Sequence, residues 1–481
     1  MKSISKIFNI VGFYFLLLVS ILLHAQNNTT EFKIDSGDFT FDQNDAQNPC
    51  ITTPEYAVLN KEVTDNLKKL ALNKNANKNV LTTSLLWPLK LATGFTQCEY
   101  HFIGAYVDQN TAATTIQDYD CGTNTYDGHH GTDIAIWPYS LYKMDNNQVE
   151  VVAAASGTII QKNDGNYDRN CVGVGSGLTA NSIIIQHADG TYALYWHMKN
   201  GSVSTKAVGQ TVVAGEKLGV VGSSGSSSGP HLHFEIWAGN TTTTYKDPFS
   251  GACNLLNATS WWATQRPHAE PAIMKASVHP TDITLATCPN SDVPNESDTF
   301  VVPFQGAGLA PGYAKYYFFW KDIPANGIIS LRILNPNGST FNSWSYIVPT
   351  NNKVSYYGSS KLLPTTDGIY TFEASYNGAA CSKTFTITHS LGISDAHADY
   401  FKVYPNPTND NFLVTADRIE YENYTFTMTN SIGQILKTEK VNIEDKKLEK
   451  LFSVASLSEG VYFLIIESAK SRIVKKIIKN N

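Results

Sequence analysis

The residues best suited to chemistry in this chain are two pairs. His129 and Asp133 are four positions apart, and His231 and His233 are two apart and about a hundred residues further on. Imidazole and carboxylate in this combination form the ligand set of a catalytic zinc site, which takes three protein ligands and leaves one position for water. The backbone must bring both pairs to one point. Gly229-Pro230-His231-Leu232-His233-Phe234-Glu235-Ile236-Trp237 alternates, with Leu232, Phe234 and Ile236 on one face and His231, His233 and Glu235 on the other, which is the period of a strand lying on a core. At a rise of about 3.3 Å per residue the two histidines stand roughly 6 to 7 Å apart. One can then bind a metal while the other stands over its open position. His129 and Asp133 share a parity, yet on a straight strand they would be about 13 Å apart. The chain must bend between them, and Gly131 is read as the residue whose permissive backbone allows it. His130 has the opposite parity and is expected to point away.

The surrounding elements read as short strands separated by Gly, Asn, Asp and Ser clusters, so the expected fold is mainly β with antiparallel sheets. The run Gly222-Ser223-Ser224-Gly225-Ser226-Ser227-Ser228-Gly229 has no lysine at its end and reads as a turn feeding a strand, not as a phosphate cradle. His197 lies in the strand-like Leu194-Tyr195-Trp196-His197-Met198, where an isolated histidine would be an ordinary buried one. Tyr195 shares its parity and is expected to line the same groove. Glu235 either orients a ligand imidazole or is an exposed strand carboxylate. His101, His187 and His268 read as structural or surface residues, and His279, His389 and His397 as surface residues.

His129-His130-Gly131-Thr132-Asp133, Val152-Ala153-Ala154-Ala155-Ser156-Gly157-Thr158, Tyr195-Trp196-His197-Met198, Val208-Gly209-Gln210, Ala214-Gly215-Glu216-Lys217-Leu218-Gly219 and Ser228-Gly229-Pro230-His231-Leu232-His233-Phe234-Glu235 follow one another in the order found in a known family. With these motifs the region resembles the LytM/lysostaphin-type zinc metallopeptidases, bacterial endopeptidases that mostly cut peptide cross-bridges of peptidoglycan. The resemblance implies a sheet domain with a central groove, one Zn2+ per chain held by His129, Asp133 and His233, and His231 and His197 as non-ligand catalytic histidines. Parity alone leaves open which of His231 and His233 binds the metal. Zinc lowers the pKa of its water to about 7 and polarises the scissile carbonyl. A neutral imidazole suits proton transfer to and from that centre. That work falls to His231, with His197 stabilising the oxyanion or sharing the transfer.

The rest of the chain points to export. Lys2 and Lys6, an apolar run from Ile10 to Leu23, and His24-Ala25-Gln26 read as a signal peptide over residues 1–25. The apolar run is short of the ~20 residues of a comfortable membrane span, and no later segment reaches that length, so no transmembrane span is expected in the mature chain. Residues 26–84 are polar and Asn-rich, with an amphipathic stretch from Val58 to Leu72 that could be a helix. This region is either a docking arm or linker, or a pro-segment that covers the groove until processing. The catalytic domain is placed at 85–266 and an Ig-like β-sandwich at 276–390, with strands expected at 316–320, 328–334, 368–376 and 383–388. Seven cysteines, none in a CxxC pair, fit an oxidising compartment and leave one thiol over. Cys288 with Cys381, Cys121 with Cys171, and Cys50 with Cys98 are the expected pairs.

Residues 396–481 carry Val403-Tyr404-Pro405-Asn406-Pro407, Asn430-Ser431-Ile432-Gly433-Gln434, Gly460-Val461-Tyr462-Phe463 and a tail with five basic residues and no acidic one from Lys470 onward. They resemble the C-terminal sorting domain of the type IX secretion system of the Bacteroidetes, a small β-sandwich, which implies the secretion machinery as a partner and removal or exchange of this domain at export. Such a basic tail is otherwise read as an edge strand whose lysines block aggregation. Net charge of −6 and a pI near 6.1 speak against nucleic acid as a partner.

Three functions follow in order. The first is a secreted or cell-surface-attached endopeptidase on peptidoglycan peptides. The second is the same chemistry on extracellular Gly-rich protein. The third is a catalytically silent member that binds cell wall or activates another hydrolase; it fits poorly with a complete set of His129, Asp133, His231, His233 and His197.

Overall fold

Short β-branched and aromatic segments interrupted by Gly, Asn and Asp turns favour strands over helices. A computed structural model shows a mainly β chain, describing residues 51–70, 83–112, 115–171, 178–389, 401–417, 423–442, 447–468 and 472–480. The expected signal peptide, Cys50 and His397 lie outside the described residues. The chain divides into two units, residues 1–300 with 304–387, and residues 301–303 with 388–481.

The first unit opens with helix α1 (Thr53–Lys69), started by a capping box between Thr52 and Glu55 with Pro54 in the first turn. The strands that follow are β1 (Leu89–Leu91), β2 (His101–Ala105), β3 (Thr132–Ile136), β4 (Val149–Val152), β5 (Gly157–Asn163), β6 (Asn181–Gln186), β7 (Tyr192–Met198), β8 (Thr211–Val212), β9 (Lys217–Val220), β10 (His231–Trp237) and β11 (Tyr245–Lys246), with a short helix α2 (Ser140–Asp145) after β3. Eight of these strands form one antiparallel sheet, in the order β2-β3-β10-β7-β6-β5-β8 with β11 paired to β10. A smaller sheet, β1-β4-β9, lies beside it. One face of the large sheet enters the main core, where Leu232, Phe234 and Ile236 meet Ile183, Ile185, Ala193 and Tyr195. Alternation puts His231, His233 and Glu235 on the other face. On that same face α1 lays Leu59, Val63 and Leu67 against Ile160, Ile184, Leu194, Trp196 and Trp237. Each such buried side chain contributes roughly 1.5–3 kcal/mol to docking.

A second β region, nearly all of it in this unit, comprises β12 (Ala272–His279), β13 (Thr299–Val302), β14 (Tyr313–Lys321), β15 (Ile328–Leu334), β16 (Thr340–Ile347), β17 (Val354–Leu362), β18 (Gly368–Tyr376) and β19 (Ala379–His389). They form two sheets, β12-β14-β17 and β13-β19-β18-β15-β16. Strand β14 is a nearly unbroken apolar run because both its faces are covered. Tyr316 and Phe318 meet Trp344 and Tyr346 across the sandwich, while Tyr317 and Phe319 pack with Phe102, Ala135, Trp137 and Tyr139 of the peptidase-like region. Lys321 adds ion pairs to Glu99 at 3.2 Å and Glu270 at 3.0 Å.

The disulfides correct all three expected pairings. Cys98 joins Cys381, Cys121 joins Cys253 and Cys171 joins Cys288, with Cα separations of 5.7, 5.1 and 5.8 Å. Pairing by nearness in sequence fails because the second region folds back onto the first, so two of the three bonds cross between them. His279 is also not a surface residue. It is fully buried, with ring nitrogens 2.6 Å from Asn295 Oδ1 and 2.7 Å from Ser277 Oγ.

The second unit, taken by itself, holds β20 (Phe401–Tyr404), β21 (Asn411–Asp417), β22 (Asn423–Asn430), β23 (Ile435–Asn442), β24 (Lys447–Ser453), β25 (Gly460–Glu467) and β26 (Arg472–Lys479) in sheets β20-β21-β24 and β23-β22-β25-β26. Phe412, Phe426, Phe452, Leu464, Ile466 and Ile477 fill the space between the sheets. No helix among the described residues is long and apolar enough to cross a membrane.

Candidate metal centre

Strand register brings the two sequence pairs together. In the β3–β10 ladder Asp133 stands opposite His233, and His129 reaches the same point from the turn before β3. The ligand atoms of His129, Asp133 and His233 all lie within 4.8 Å of one another. His129 Nε2 is 3.2 Å from His233 Nδ1 and 3.2 Å from Asp133 Oδ2, and His233 Nδ1 is 2.8 Å from Asp133 Oδ1.

The hydrogen bonds behind the rings fix what these atoms are. A carbonyl can only accept, so His129 Nδ1, 2.6 Å from the Tyr106 carbonyl, carries its proton and leaves Nε2 a bare lone pair. His233 Nε2 donates to Glu235 Oε1 at 2.8 Å, which leaves Nδ1 bare. Two lone pairs and a carboxylate thus converge with no proton to share among them, an arrangement that a cation relieves. The edges also suit one, since zinc bonded at about 2.0–2.1 Å in a tetrahedron sets neighbouring ligand atoms about 3.3 Å apart. Burial pushes the Asp133 carboxyl up, but the surrounding imidazoles, His129 first, outweigh it and hold the group well below the usual carboxylate range.

Glu235 is completely buried. Its carboxylate accepts from His233 Nε2, from Trp237 Nε1 at 2.6 Å and from the Tyr56 hydroxyl of α1 at 2.5 Å. The exposed-carboxylate alternative is thereby removed, and the residue orients the His233 imidazole. Gly131 acts differently from the expectation. It has no positive φ; a Cβ there would lie 2.7 Å from His233 Cε1 and 2.9 Å from the Phe234 carbonyl, so the position must be empty for the ring to fit. His130 turns away, stacked between Tyr56 and Tyr245 with ring centroids 5.3 and 3.9 Å apart.

His231 and His197 stand beside the cluster with ring centroids 4.5 Å apart. Each gives its Nδ1 proton to a backbone carbonyl, His231 to Gly229 at 2.8 Å and His197 to Ser224 at 2.6 Å, so both present Nε2 as an acceptor. His231 Nε2 lies 3.7 Å from Asp133 Oδ1, and His197 Nε2 is buried with no hydrogen-bond partner among the described residues. Burial, with its histidine neighbours, pushes His197 well below the ordinary imidazole value. Burial also lowers His231, against the pull of Asp133.

His197 breaks the alternation that placed Tyr195 in the groove. Its φ of 66° is left-handed, and the β6–β7 register shifts between Asn181 and Ile183. Tyr195 therefore faces the core, fully buried, its hydroxyl accepting from the Ala154 N–H at 2.7 Å. A left-handed non-glycine residue costs on the order of 1–2 kcal/mol, which surrounding structure must impose.

Tyr126 joins the site unforeseen. Its ring stacks on His129 with centroids 4.1 Å apart and its hydroxyl donates to Asp133 Oδ2 at 3.2 Å. The one sequence signal was an aromatic residue in a polar turn three positions before His129.

Residues 128–247 match peptidase family M23, and residues 402–480 match a secretion system C-terminal sorting domain, the mark of export by the type IX route to the cell surface or extracellular space. The chain is 47% identical over 55 residues to the DD-carboxypeptidase/endopeptidase Mpg of Neisseria meningitidis, which covers 11% of this chain and 12% of that protein's length. It is 40% identical over 57 residues to an uncharacterized metalloprotease of Buchnera aphidicola, 12% of this chain and 14% of the relative. Among solved structures, the catalytic domain of lysostaphin from Staphylococcus simulans is 23% identical, with 33% of this chain and 96% of that one covered and a TM-score of 0.19.

Proposed function

Because residues 128–247 are a peptidase family M23 domain and residues 402–480 a secretion sorting domain, we propose that the protein is an exported zinc endopeptidase that cuts peptide cross-bridges of peptidoglycan. The observation that carries this reading is the convergence of His129 Nε2, His233 Nδ1 and the Asp133 carboxylate as proton-free acceptors. Zinc held by these three residues supplies Lewis-acid polarisation of the scissile carbonyl and acidifies a water. The chain's own residues do the rest. His231 takes a proton from the attacking water at Nε2 and returns it to the leaving amine. His197, neutral and with the same tautomer, shares that transfer and, once protonated, donates to the oxyanion. Glu235 and Tyr126 keep His233 and Asp133 aimed.

The same reading makes residues 51–70 a pro-segment. None of His129, Asp133, His231, His233 and His197 is more than 3% exposed, and α1 lies on their face of the sheet, with Tyr56 bonded to Glu235 and Asn60 exchanging bonds of 3.1 and 2.9 Å with Thr242. With α1 docked, access to the site is restricted, and turnover rises when α1 leaves. Residues 1–25 are the signal peptide, the region 276–390 is an Ig-like sandwich, and residues 396–481 are removed or exchanged at export.

The test is mass spectrometry of muropeptides released from purified sacculi, with an elastin-like protein in parallel. His233→Ala is expected to lose zinc and activity together, and His231→Ala to keep zinc while losing most turnover. Equal zinc loss in both variants overturns the division of roles, and cleavage of the elastin-like protein alone overturns the substrate.

A further inference from the structure

Both proton-transfer histidines owe their tautomer to one loop. Ser224 and Gly229 supply the carbonyls that hold the Nδ1 protons of His197 and His231, and Ser227 Oγ lies 3.3 Å from His231 Nδ1 and 2.7 Å from Ser223 Oγ. Glycines and serines have little intrinsic preference for a single conformation, so something else must hold this one.

That holder is the segment 168–171. The Asn170 N–H donates to the Ser223 carbonyl at 3.0 Å, the Asn170 carbonyl accepts from Ser223 Oγ at 2.7 Å, and Asn170 Nδ2 donates to the Gly225 carbonyl at 2.6 Å. The Ser223 N–H donates to the Asp168 carbonyl at 3.1 Å. Asn170 in turn sits between two attachments to the second β region. Cys171 is disulfide-bonded to Cys288. The Arg169 guanidinium donates to the Pro289 carbonyl at 2.9 and 2.6 Å and to Ser291 Oγ at 2.9 Å, and also pairs with Asp145.

We infer that the second β region is part of the catalytic apparatus: its Cys288–Ser291 segment fixes Asn170 through Arg169 and Cys171, and Asn170 is a positioning residue that sets the tautomer of His197 and His231. This rests on those two histidines being the proton-transfer groups. Release of the Ser224 or Gly229 carbonyl lets the proton move to Nε2, which turns the acceptor into a donor and removes the base. The Cys98–Cys381 bond also joins the two regions but is not attached to the 168–171 segment, so it serves as the internal control.

The experiment uses the full chain with Asn170→Ala, the pair Cys171→Ser/Cys288→Ser, and the control pair Cys98→Ser/Cys381→Ser. Three quantities are read: zinc content, kcat and KM on dye-labelled sacculi, and 15N shifts of labelled histidine side chains in the metal-free protein. For Asn170→Ala and the first pair the expectation is unchanged zinc, kcat lower by about 10- to 100-fold, part of the ~10²–10⁴-fold that general acid–base groups supply, nearly unchanged KM, and His197 and His231 moving from the Nδ1–H form to a mixture. The control pair keeps wild-type kcat and shifts. Unaltered histidine shifts in Asn170→Ala, or equal loss in both cysteine pairs, overturn the inference. Altered shifts with full turnover overturn the proton-transfer roles and leave the positioning intact, so the two failures are distinguishable.

Discussion

At the scale of the residue, the site depends on atoms that have nowhere else to put a charge. Glu235 illustrates this. It is sealed from water, and three donors keep its oxygens occupied. Glu235→Gln replaces one acceptor oxygen with a donor facing donors, so zinc affinity is expected to fall by about 10- to 100-fold, the usual cost of losing an outer partner of a metal ligand. Competition with a zinc chelator measures it, and unchanged affinity refutes the orienting role. Tyr126→Phe removes a single bond to Asp133 Oδ2 and keeps the stack on His129. A smaller loss is expected, within about tenfold, since one hydrogen bond to a charged group is worth about 1.5–3 kcal/mol only when nothing replaces it. His129, Asp133, His231 and His233 stood out in sequence because their residue types are rare together, while the role of His197 and the choice of ligands came from the resemblance. Tyr195 was misplaced because parity assumes an unbroken strand, and His197 leaves the β region of φ/ψ space.

At the scale of the element, α1 and β10 share one face of a sheet. The stripe Leu59, Val63 and Leu67 was visible as an amphipathic helix, but what it covers was not, because an apolar stripe specifies only that a partner exists. If α1 holds the enzyme latent, Leu59→Asp/Val63→Asp raises turnover on sacculi above wild type while the zinc content stays the same. Lower turnover with loss of zinc shows instead that α1 supports the sheet. His279 at the end of β12 gives a test by pH. Burial, partly offset by Asn295 and Glu296, holds its pKa at about 4, whereas the unfolded chain protonates near 6.5. The folded state then binds fewer protons between those values, so this contribution is fully present above about pH 6.5 and is lost as pH falls towards 4, by about 3 kcal/mol at most. His279→Gln is expected to flatten the fall of Tm across that window, and an unchanged slope removes His279 as its source.

At the scale of the whole molecule, the order of regions describes an exported enzyme with its sorting domain at the C-terminal end. Deleting residues 396–481 is expected to leave the protein in the periplasm, read by fractionation and immunoblot; normal appearance outside the cell refutes the sorting role. Strands 316–320, 328–334, 368–376 and 383–388 could be read from alternation and turn residues, while the sorting domain and the choice of candidate ligands came from motif resemblance. The disulfide pairings, the burial of His279, the docking of β14 on Phe102, Trp137 and Tyr139 and the docking of α1 on Leu194, Trp196 and Trp237 could not be read in either way. These depend on which surfaces meet. A sequence states how much apolar surface must be covered, whereas the choice of partner among surfaces of similar hydrophobicity is made by shape and register in three dimensions.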